Sequence, residues 1–361
     1  MKNIFGKAML LTTALLFSIT GTSCSSDDSP VPEKEKTYDM SGFAKGADVS
    51  WLTEMEQDGV KFYNQNGKAE ECMWLLRDLG TNAIRLRVWV NPEGGWCAKN
   101  DVIAKACRAQ ALGYRLMIDF HYSDTWADPG NQKVPAAWQN YTFEQMKQAV
   151  ADHTKDVLSA LKERGVTNVE WVQVGNETRD GMLFSSDEAV TGKASKNAAN
   201  FAAYVNAGYD AVKAVYPQAK VVVHVDEGNN LGRYTWLFGE LKKKGGKWDI
   251  IGMSLYPEDN NWQDLTTNCL NNIKTLSEQY NCKVIVSEIG MWWGSEQAAP
   301  MMKKMVDGCK AISTCEGIFY WEPEVYNNWK PANYTTLGWS AYTKGAFDNS
   351  GKPTAVFDAY K

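Results

Sequence analysis

Eight short apolar runs alternate along this chain with longer stretches whose apolar residues recur at spacings of three and four. One such stretch places Cys72, Leu75, Leu76 and Leu79 on a single helical face. The runs cover residues 42–49, 82–88, 115–121, 169–175, 220–225, 249–256, 283–289 and 317–321. Strands that alternate with helices form a parallel sheet, so eight repeats predict an α/β fold, a single-domain (β/α)8 TIM barrel. A doubly wound sheet is disfavoured because no Gly-x-Gly-x-x-Gly turn follows the first run.

The N-terminal two dozen residues have a different pattern. Basic Lys2 and Lys7 precede the apolar residues 8–19, and small residues lead up to Cys24. This layout predicts that residues 1–23 are a lipoprotein signal peptide and that Cys24 carries the lipid. An apolar run of about a dozen residues is too short to span a membrane. An ordinary secreted protein with an incidental Cys24 is the alternative.

Residues 24–38 are polar and contain almost no apolar side chains, which predicts a flexible tether before a catalytic barrel at 39–361. The acidic segment after Cys24 resembles the export tag of bacterial surface lipoproteins. We therefore expect a lipid anchor on Cys24 that holds the protein to the bacterial cell envelope, at the outer-membrane surface.

Charge and cysteine content exclude several functions. Removal of the leader takes away two lysines and no acids, so the formal charge of −5 becomes about −7. Such a chain lacks the basic footprint of a nucleic-acid-binding protein. The seven cysteines after Cys24 could form disulfides or remain buried thiols, and no spacing among them suggests zinc. We expect a monomer without a metal or other cofactor.

Two glutamates at run ends carry the strongest functional signal. Glu177 follows the fourth run, beside Asn176, and Glu288 lies near the end of the seventh. In a barrel both would reach the C-terminal end of the strands, where such folds place their active sites. Most enzymes that hydrolyse a glycosidic bond need a pair of carboxylates. The sequence therefore predicts a glycoside hydrolase.

The two glutamates should have different protonation states. Glu177 follows the run from Val172 to Val174, so a partly desolvated site would keep it protonated as the general acid. Glu288, as the nucleophile, must stay ionised and needs donors, for which Arg85 and Tyr256 are suitably placed. Asn176 could donate to the sugar 2-hydroxyl.

Further polar and aromatic residues at run ends are candidates for sugar binding. Indole rings stack on the apolar faces of sugars, which favours a polysaccharide substrate. The candidate substrate-binding residues are Asp48, Arg85, His121, Trp126, Asp128, Asn176, His224, Tyr256, Trp292 and Trp321.

Several longer motifs resemble one family. The segments Gly46-Ala-Asp-Val-Ser50, Arg85-Leu-Arg-Val-Trp-Val-Asn-Pro92, Asp119-Phe-His-Tyr-Ser-Asp-Thr-Trp-Ala-Asp-Pro129, Gly175-Asn-Glu177 and Phe319-Tyr-Trp-Glu-Pro323 resemble glycoside hydrolase family 53, the arabinogalactan endo-β-1,4-galactanases. The resemblance implies endo-cleavage of β-1,4-galactan with net retention, Glu177 as acid/base, Glu288 as nucleophile and Asp128 in a sugar-contacting loop.

The resemblance leaves two matters open. The segment after Glu288 lacks the long acidic loop that holds calcium in some members, so we expect no calcium there. Mannan or glucan remain alternative substrates, and a glycan-binding lipoprotein without catalysis is the alternative from another class.

Overall fold

Eight parallel strands close into a barrel in the computed structural model, which describes residues 36–361. The barrel strands are β1 (Ala44–Asp48), β4 (Ala83–Val88), β5 (Arg115–Phe120), β6 (Val169–Val174), β7 (Lys220–Val225), β8 (Ile250–Leu255), β9 (Lys283–Ile289) and β10 (Cys315–Trp321). Each strand pairs with its neighbour in the chain, and β10 pairs with β1. The predicted (β/α)8 barrel and all eight predicted strands are confirmed.

Helices separate the strands around the barrel. They are α1 (Leu52–Gln57), α2 (Cys72–Asp78), α3 (Lys99–Ala111), α4 (Phe143–Glu163), α5 (Ala194–Val215), α6 (Leu231–Lys243), α7 (Trp262–Tyr280), α8 (Ala298–Lys310) and α9 (Ala332–Leu337). A small hairpin of β2 (Phe62–Tyr63) and β3 (Ala69–Glu70) follows α1 and was not predicted. Within residues 36–361, no helix is both long and apolar enough to cross a membrane.

The helix α4 connects β5 to β6, and its ends are set by the sequence. Thr142 and Gln145 form a capping box, in which each side chain bonds the backbone of the other. Gly165 follows the helix at φ +77°, a conformation that costs glycine little and ends the helix before β6.

One apolar side chain from each strand fills the lower half of the barrel interior. This layer consists of Ala44, Ala83, Met117, Trp171, Val222, Ile250, Ile285 and Phe319. Phe319 occupies the space beside Gly46, where an added Cβ would lie 2.2 Å from its ring. The dense layer closes this end of the barrel, so the chemistry must lie at the other.

The upper half of the interior is polar because side chains alternate along each strand. Two residues beyond the apolar layer, the inward positions hold Arg85, Asp119, Gln173 and His224, all at most 1% exposed. Buried charges are costly unless they are paired and hydrogen-bonded. This layer therefore marks the functional end of the barrel.

The predicted leader, the lipidation site Cys24 and most of the predicted tether lie outside the described residues. Residues Tyr38–Lys361 form one compact unit. The seven cysteines within it are all thiols, five of them buried, which agrees with the buried-thiol alternative and not with disulfides.

Candidate active site

A cleft of ≈ 360 Å³ opens at the C-terminal end of the barrel, above the polar layer. Both predicted catalytic glutamates line it, together with His121, Trp126, Ala127, Asp128, Asn176, Tyr256, Trp321, Tyr334, Trp339, Tyr342 and Lys344. Three of the aromatic residues come from the segment after β10. The fold thus brings carboxylates from β6 and β9 to one cavity walled by aromatic rings.

Glu288 reaches the cleft because β9 is irregular. Ile285 faces the barrel interior, so regular alternation would turn Ser287 inward and Glu288 outward. The pairing with β8 instead shifts by one residue, from Met253 opposite Val286 to Ser254 opposite Glu288. A bulge of this kind re-aims a side chain, and here it aims the Glu288 carboxylate at the cleft.

Two donors hold the Glu288 carboxylate. Arg85 Nη2 lies 2.9 Å from Oε1, and the Tyr256 hydroxyl donates to Oε2 at 2.7 Å. Burial raises the pKa of Glu288, whereas Arg85 and the Tyr256 hydrogen bond lower it. Both contacts favour the ionised form that a nucleophile requires.

Glu177 has a different environment. It follows β6 in a turn in which Gly175 has φ +84° and Glu177 itself has φ +45°. The Thr178 hydroxyl stabilises this turn because it donates to the His224 carbonyl at 2.9 Å. The Ser254 hydroxyl donates to Glu177 Oε1 at 2.7 Å. Burial and the negative charge of Glu288 raise the pKa of Glu177 well above its ordinary value. Glu177 is therefore the carboxyl of the pair that retains a proton.

Arg85 is the centre of the buried polar layer. Its guanidinium contacts Asp48 Oδ2 at 2.6 Å and Asp119 Oδ2 at 2.9 Å, in addition to Glu288. It also donates to Asn176 Oδ1 at 2.9 Å. The adjacent arginine holds the pKa of Asp119 below its usual value despite burial. A fully buried cation shared among acids fixes their positions as well as their charge.

Asn176 is held so that its amide group has one orientation. Its Oδ1 accepts from Arg85 and from Gln173 Nε2, and its Nδ2 donates to the Ala127 carbonyl at 2.8 Å. One amide hydrogen remains beside the cleft that Asn176 lines. The group is thus preorganised to donate to a ligand hydroxyl next to Glu177.

The two strand-end histidines are neutral and oriented. His121 Nδ1 accepts from Trp89 Nε1 at 3.2 Å and from the Ala127 backbone at 3.1 Å, so its protonated Nε2 faces Asp119 Oδ2. His224 Nε2 lies 2.7 Å from the Ser254 hydroxyl. Burial lowers the pKa of both imidazoles. His121 lines the cleft, whereas His224 supports Glu177 through Ser254.

Aromatic rings form one continuous wall around a buried indole. Trp51 makes edge contacts with Trp126 at 5.6 Å and with Trp321 at 5.1 Å between ring centroids. Tyr334 packs on Trp126 at 5.5 Å and Trp339 on Tyr334 at 5.2 Å. These rings give the cleft a largely apolar side opposite the carboxylates, which suits the C–H faces of a sugar.

A second buried ion pair supports this wall from below. Arg87 contacts Glu322 Oε1 at 3.0 Å, and its guanidinium lies 4.3 Å from the centroid of the Trp126 ring. Burial raises the pKa of Glu322 to about 8. Burial and the charge of Glu322 raise the pKa of fully buried Glu324 well above its ordinary value. One proton is therefore retained on this acid pair near neutral pH.

A neighbouring depression extends the cleft. Trp292, half exposed, lines it with Pro257, Glu258, Asp259, Asn260, Met291 and Thr343, and Lys344 borders both cavities. Lys344 Nζ lies 5.5 Å from the centroid of the Tyr256 ring. The groove therefore continues past Tyr256 toward Trp292, which is the shape required to bind a chain of sugars.

The structure sorts the predicted substrate-binding residues into two groups. His121, Trp126, Asp128, Asn176, Tyr256 and Trp321 line the cleft, and Trp292 lines its extension. Asp48, Arg85 and His224 are instead buried below it. In this structure the polar atoms of these three residues contact protein groups. Arg85 contacts Glu288 and Asn176, and His224 contacts Ser254. Asp48 contacts Arg85 and Ser50, so we assign all three a positioning role.

Sequence reasoning missed several functional side chains. Gln173 and Ser254 are inward-facing strand residues of ordinary type, and their alternation with apolar neighbours was the available signal. Tyr334 lies in the short helix α9, and Tyr342 and Lys344 lie in the irregular segment that follows it. Only the density of aromatic residues there pointed to a binding surface.

No set of three or more potential metal ligands is grouped together anywhere in residues 36–361. The expectation that no calcium binds after Glu288 remains a prediction.

Comparison with known proteins identifies relatives of this chain. Residues 44–300 match the family model described as Glycosyl hydrolase family 53. The endo-beta-1,4-galactanase of Bacillus subtilis is 31% identical over 84% of this chain and 75% of its own length. The arabinogalactan endo-beta-1,4-galactanase of Thermothelomyces thermophilus is 28% identical over 88% of this chain and 98% of its own.

Solved structures agree with this assignment. A fungal β-1,4-galactanase superposes with a TM-score of 0.77 at 26% identity, covering 89% of this chain and 99% of its own. The GH53 catalytic domain from Ignisphaera aggregans gives the same TM-score at 27% identity, covering 89% of this chain and 96% of its own.

Proposed function

Because this chain belongs to glycosyl hydrolase family 53, we propose that it is an arabinogalactan endo-β-1,4-galactanase that cleaves β-1,4-galactan with net retention. The observation that carries the proposal is the asymmetry of the two cleft glutamates. Glu288 is held by the Arg85 cation and the Tyr256 phenol. Within residues 36–361 no Lys or Arg forms an ion pair with Glu177, whose side chain accepts from the Ser254 hydroxyl. One carboxyl is thus prepared as an anion and the other as an acid.

In the first step Glu177 donates its proton to the glycosidic oxygen while Glu288 attacks the anomeric carbon. The C–O bond to the leaving sugar breaks, and an ester forms between Glu288 and the galactosyl unit. The charge on Glu288 is then lost, and Arg85 remains paired with Asp48 and Asp119. The buried cation is therefore never left without an anion during the cycle.

In the second step Glu177, now ionised, takes a proton from water as the water attacks the anomeric carbon. The ester to Glu288 breaks and the product leaves with its original configuration. The raised pKa of Glu177 suits both steps. The protonated carboxyl is available as the acid in the first step, and its carboxylate is a stronger base in the second. Asn176 donates its free amide hydrogen to the 2-hydroxyl of the reacting sugar.

The substrate assignment rests on the names of the relatives and on the shape of the groove. An open cleft that continues toward Trp292 suits internal cleavage of a polymer such as the galactan side chains of pectin. The test is release of reducing sugar from β-1,4-galactan, with β-1,4-mannan and β-1,4-glucan as controls and Glu288→Ala beside the parent protein. Cleavage of galactan alone, lost in the variant, is expected. Cleavage of mannan or glucan instead would keep the mechanism and change the substrate, and binding without cleavage would indicate a glycan-capturing protein.

We also propose that the mature enzyme is a monomer anchored by a lipid on Cys24 at the outer-membrane surface of a bacterial cell. The support is the sequence of residues 1–38. Replacing Cys24 with alanine should release the protein from the membrane fraction. Retention of the variant on the membrane would contradict lipidation.

A further inference from the structure

A second depression of ≈ 370 Å³ lies beside the aromatic wall of the cleft. Its volume is close to the ≈ 360 Å³ of the cleft, but the two cavities share no lining residue. The lining residues come from two segments, 58–63 after α1 and 326–329 after β10. The mechanism proposed above uses none of them. We call this cavity the outer depression.

The outer depression is joined to the cleft through one buried indole. The Trp329 ring lines the depression and meets Trp51 at 5.8 Å between ring centroids. Trp51, only 1% exposed, also meets Trp126 at 5.6 Å and Trp321 at 5.1 Å, and both of these rings line the cleft. Because a single ring separates the two cavities, one long molecule can occupy both.

Two rings of the outer depression are held in fixed positions by hydrogen bonds. Trp329 Nε1 donates to Asp58 Oδ2 at 2.8 Å, and the Tyr326 hydroxyl donates to the Lys61 carbonyl at 2.6 Å. Tyr63 adds a third ring, and all three rings are partly exposed. A ligand that stacks on rings already fixed loses little free energy to side-chain ordering.

Uncommitted hydrogen-bonding groups surround these rings. Within residues 36–361 the Tyr63 hydroxyl, the Asn327 amide and the Lys61 ammonium form no side-chain hydrogen bond or ion pair, and Asp58 Oδ1 accepts none. Asn327 is exposed and has φ +51°, a left-handed conformation that asparagine adopts more readily than most residues. One acid and one base leave the lining without net charge, which does not favour an ionic ligand.

Exposed aromatic rings with free donors and acceptors, in a cavity without net charge, suit a neutral sugar chain. We propose that the outer depression is a second binding site for the neutral polysaccharide on which the cleft acts. Attachment at the second site would be intramolecular once the cleft is occupied, so it raises affinity for long chains without any new contact in the cleft. The inference rests on the proposed function for the identity of the polymer.

The test measures binding of β-1,4-galactan and of galactotriose to the Glu288→Ala protein, so that neither ligand is consumed. In this background Tyr63→Ala/Asn327→Gly removes one ring and one amide from the outer depression, and glycine adopts the left-handed backbone freely. The double variant should raise the Kd for the polymer by at least about 10-fold and leave the Kd for galactotriose within about twofold.

Trp236→Ala/Asn281→Gly in the same background is the matched control. Trp236 is 42% exposed on α6, and Asn281 is exposed at φ +49° after α7. Neither lines the cleft or the outer depression, so both Kd values should stay within about twofold of the parent. Equal losses of polymer affinity in the two double variants would overturn the second site. A loss for galactotriose as large as the loss for the polymer would also overturn it.

Failure of the proposed function has a different signature. If the protein with Glu288 intact hydrolyses mannan or glucan and not galactan, the substrate assignment is wrong, and the two double variants are compared on the polymer that is cleaved. Unchanged affinity of the Tyr63→Ala/Asn327→Gly variant for that polymer would overturn the second site, whichever polymer it is.

Discussion

Arg85 Nη2 lies 2.9 Å from Glu288 Oε1, at the junction of the buried polar layer and the cleft. The same guanidinium holds Asp48, Asp119 and Asn176. A single cation thus sets the ionisation of the proposed nucleophile and the position of the residue beside the proposed acid. The arrangement explains why the strand β4 carries a buried arginine whose burial alone would be unfavourable.

Replacement of Arg85 should shift the acidic limb of the pH profile. Arg85 lowers the pKa of Glu288, so Arg85→Met should raise that pKa. The nucleophile would then become protonated at higher pH, and the acidic limb of kcat/KM should move upward by the same amount. Arg85→Lys keeps the charge and should move it less. An unmoved limb in a folded Arg85→Met enzyme would contradict the role assigned to Arg85.

Ser254 should affect the opposite limb. Its hydroxyl donates to Glu177 and lowers the pKa of that carboxyl. Without this hydrogen bond to the charged form, the pKa of Glu177 rises further. The acid form then persists to higher pH, so the basic limb of the Ser254→Ala profile should move upward, while Ser254→Thr retains the hydroxyl and should resemble the parent. A shift of the acidic limb instead would exchange the roles of the two glutamates.

Trp292 should matter only for long substrates. It is half exposed and lies in the extension of the cleft, away from both glutamates. Trp292→Ala should raise KM for polymeric galactan by about 5- to 100-fold, the equivalent of one lost stacking contact of about 1–3 kcal/mol, with little change for short oligosaccharides. Trp236→Ala is the matched control, because Trp236 is similarly exposed on α6. Equal effects of the two substitutions would remove Trp292 from the binding groove.

The acid pair Glu322 and Glu324 should reduce stability as the pH rises from about 5 to about 8. Burial raises the pKa of both, that of Glu322 to about 8. A raised folded-state pKa gives stability that is complete below the unfolded-state pKa and is lost as the pH rises toward the folded-state value. Glu324→Gln removes one titrating group and its repulsion with Glu322. The variant should lose less thermal stability than the parent between about pH 5 and pH 8, as measured by the dependence of Tm on pH. Parallel curves for the two proteins would contradict the assignment.

The sequence could predict the strands and the two glutamates because both follow from local patterns. Each strand is an apolar run of the right length. Glu177 follows one such run, and Glu288 lies near the end of another. The orientation of Glu288 could not be predicted, because it depends on a shift in pairing between β8 and β9 that only the closed barrel fixes. Regular alternation would have pointed this side chain away from the site.

The sequence also could not predict how deeply each polar residue is buried. Asp48, Arg85 and His224 lie late in their strands, as the cleft-lining residues do, but each is buried among polar neighbours in the barrel interior. Tyr334, Tyr342 and Lys344 come from residues after β10 that have little regular structure. Hydrophobic periodicity does not predict where such a segment packs against the barrel.

The most direct test of the account is the anomeric configuration of the first product. Proton NMR of β-1,4-galactan during early hydrolysis distinguishes the two anomers before mutarotation mixes them. Displacement by Glu288 followed by displacement with water should release the β-anomer first. The Glu288→Ala enzyme should lose about 10⁴- to 10⁶-fold in kcat, and Glu177→Gln about 10²- to 10⁴-fold with a substrate that needs protonation. Initial appearance of the α-anomer would show that water attacks directly, and would contradict the assignment of Glu288 as a nucleophile.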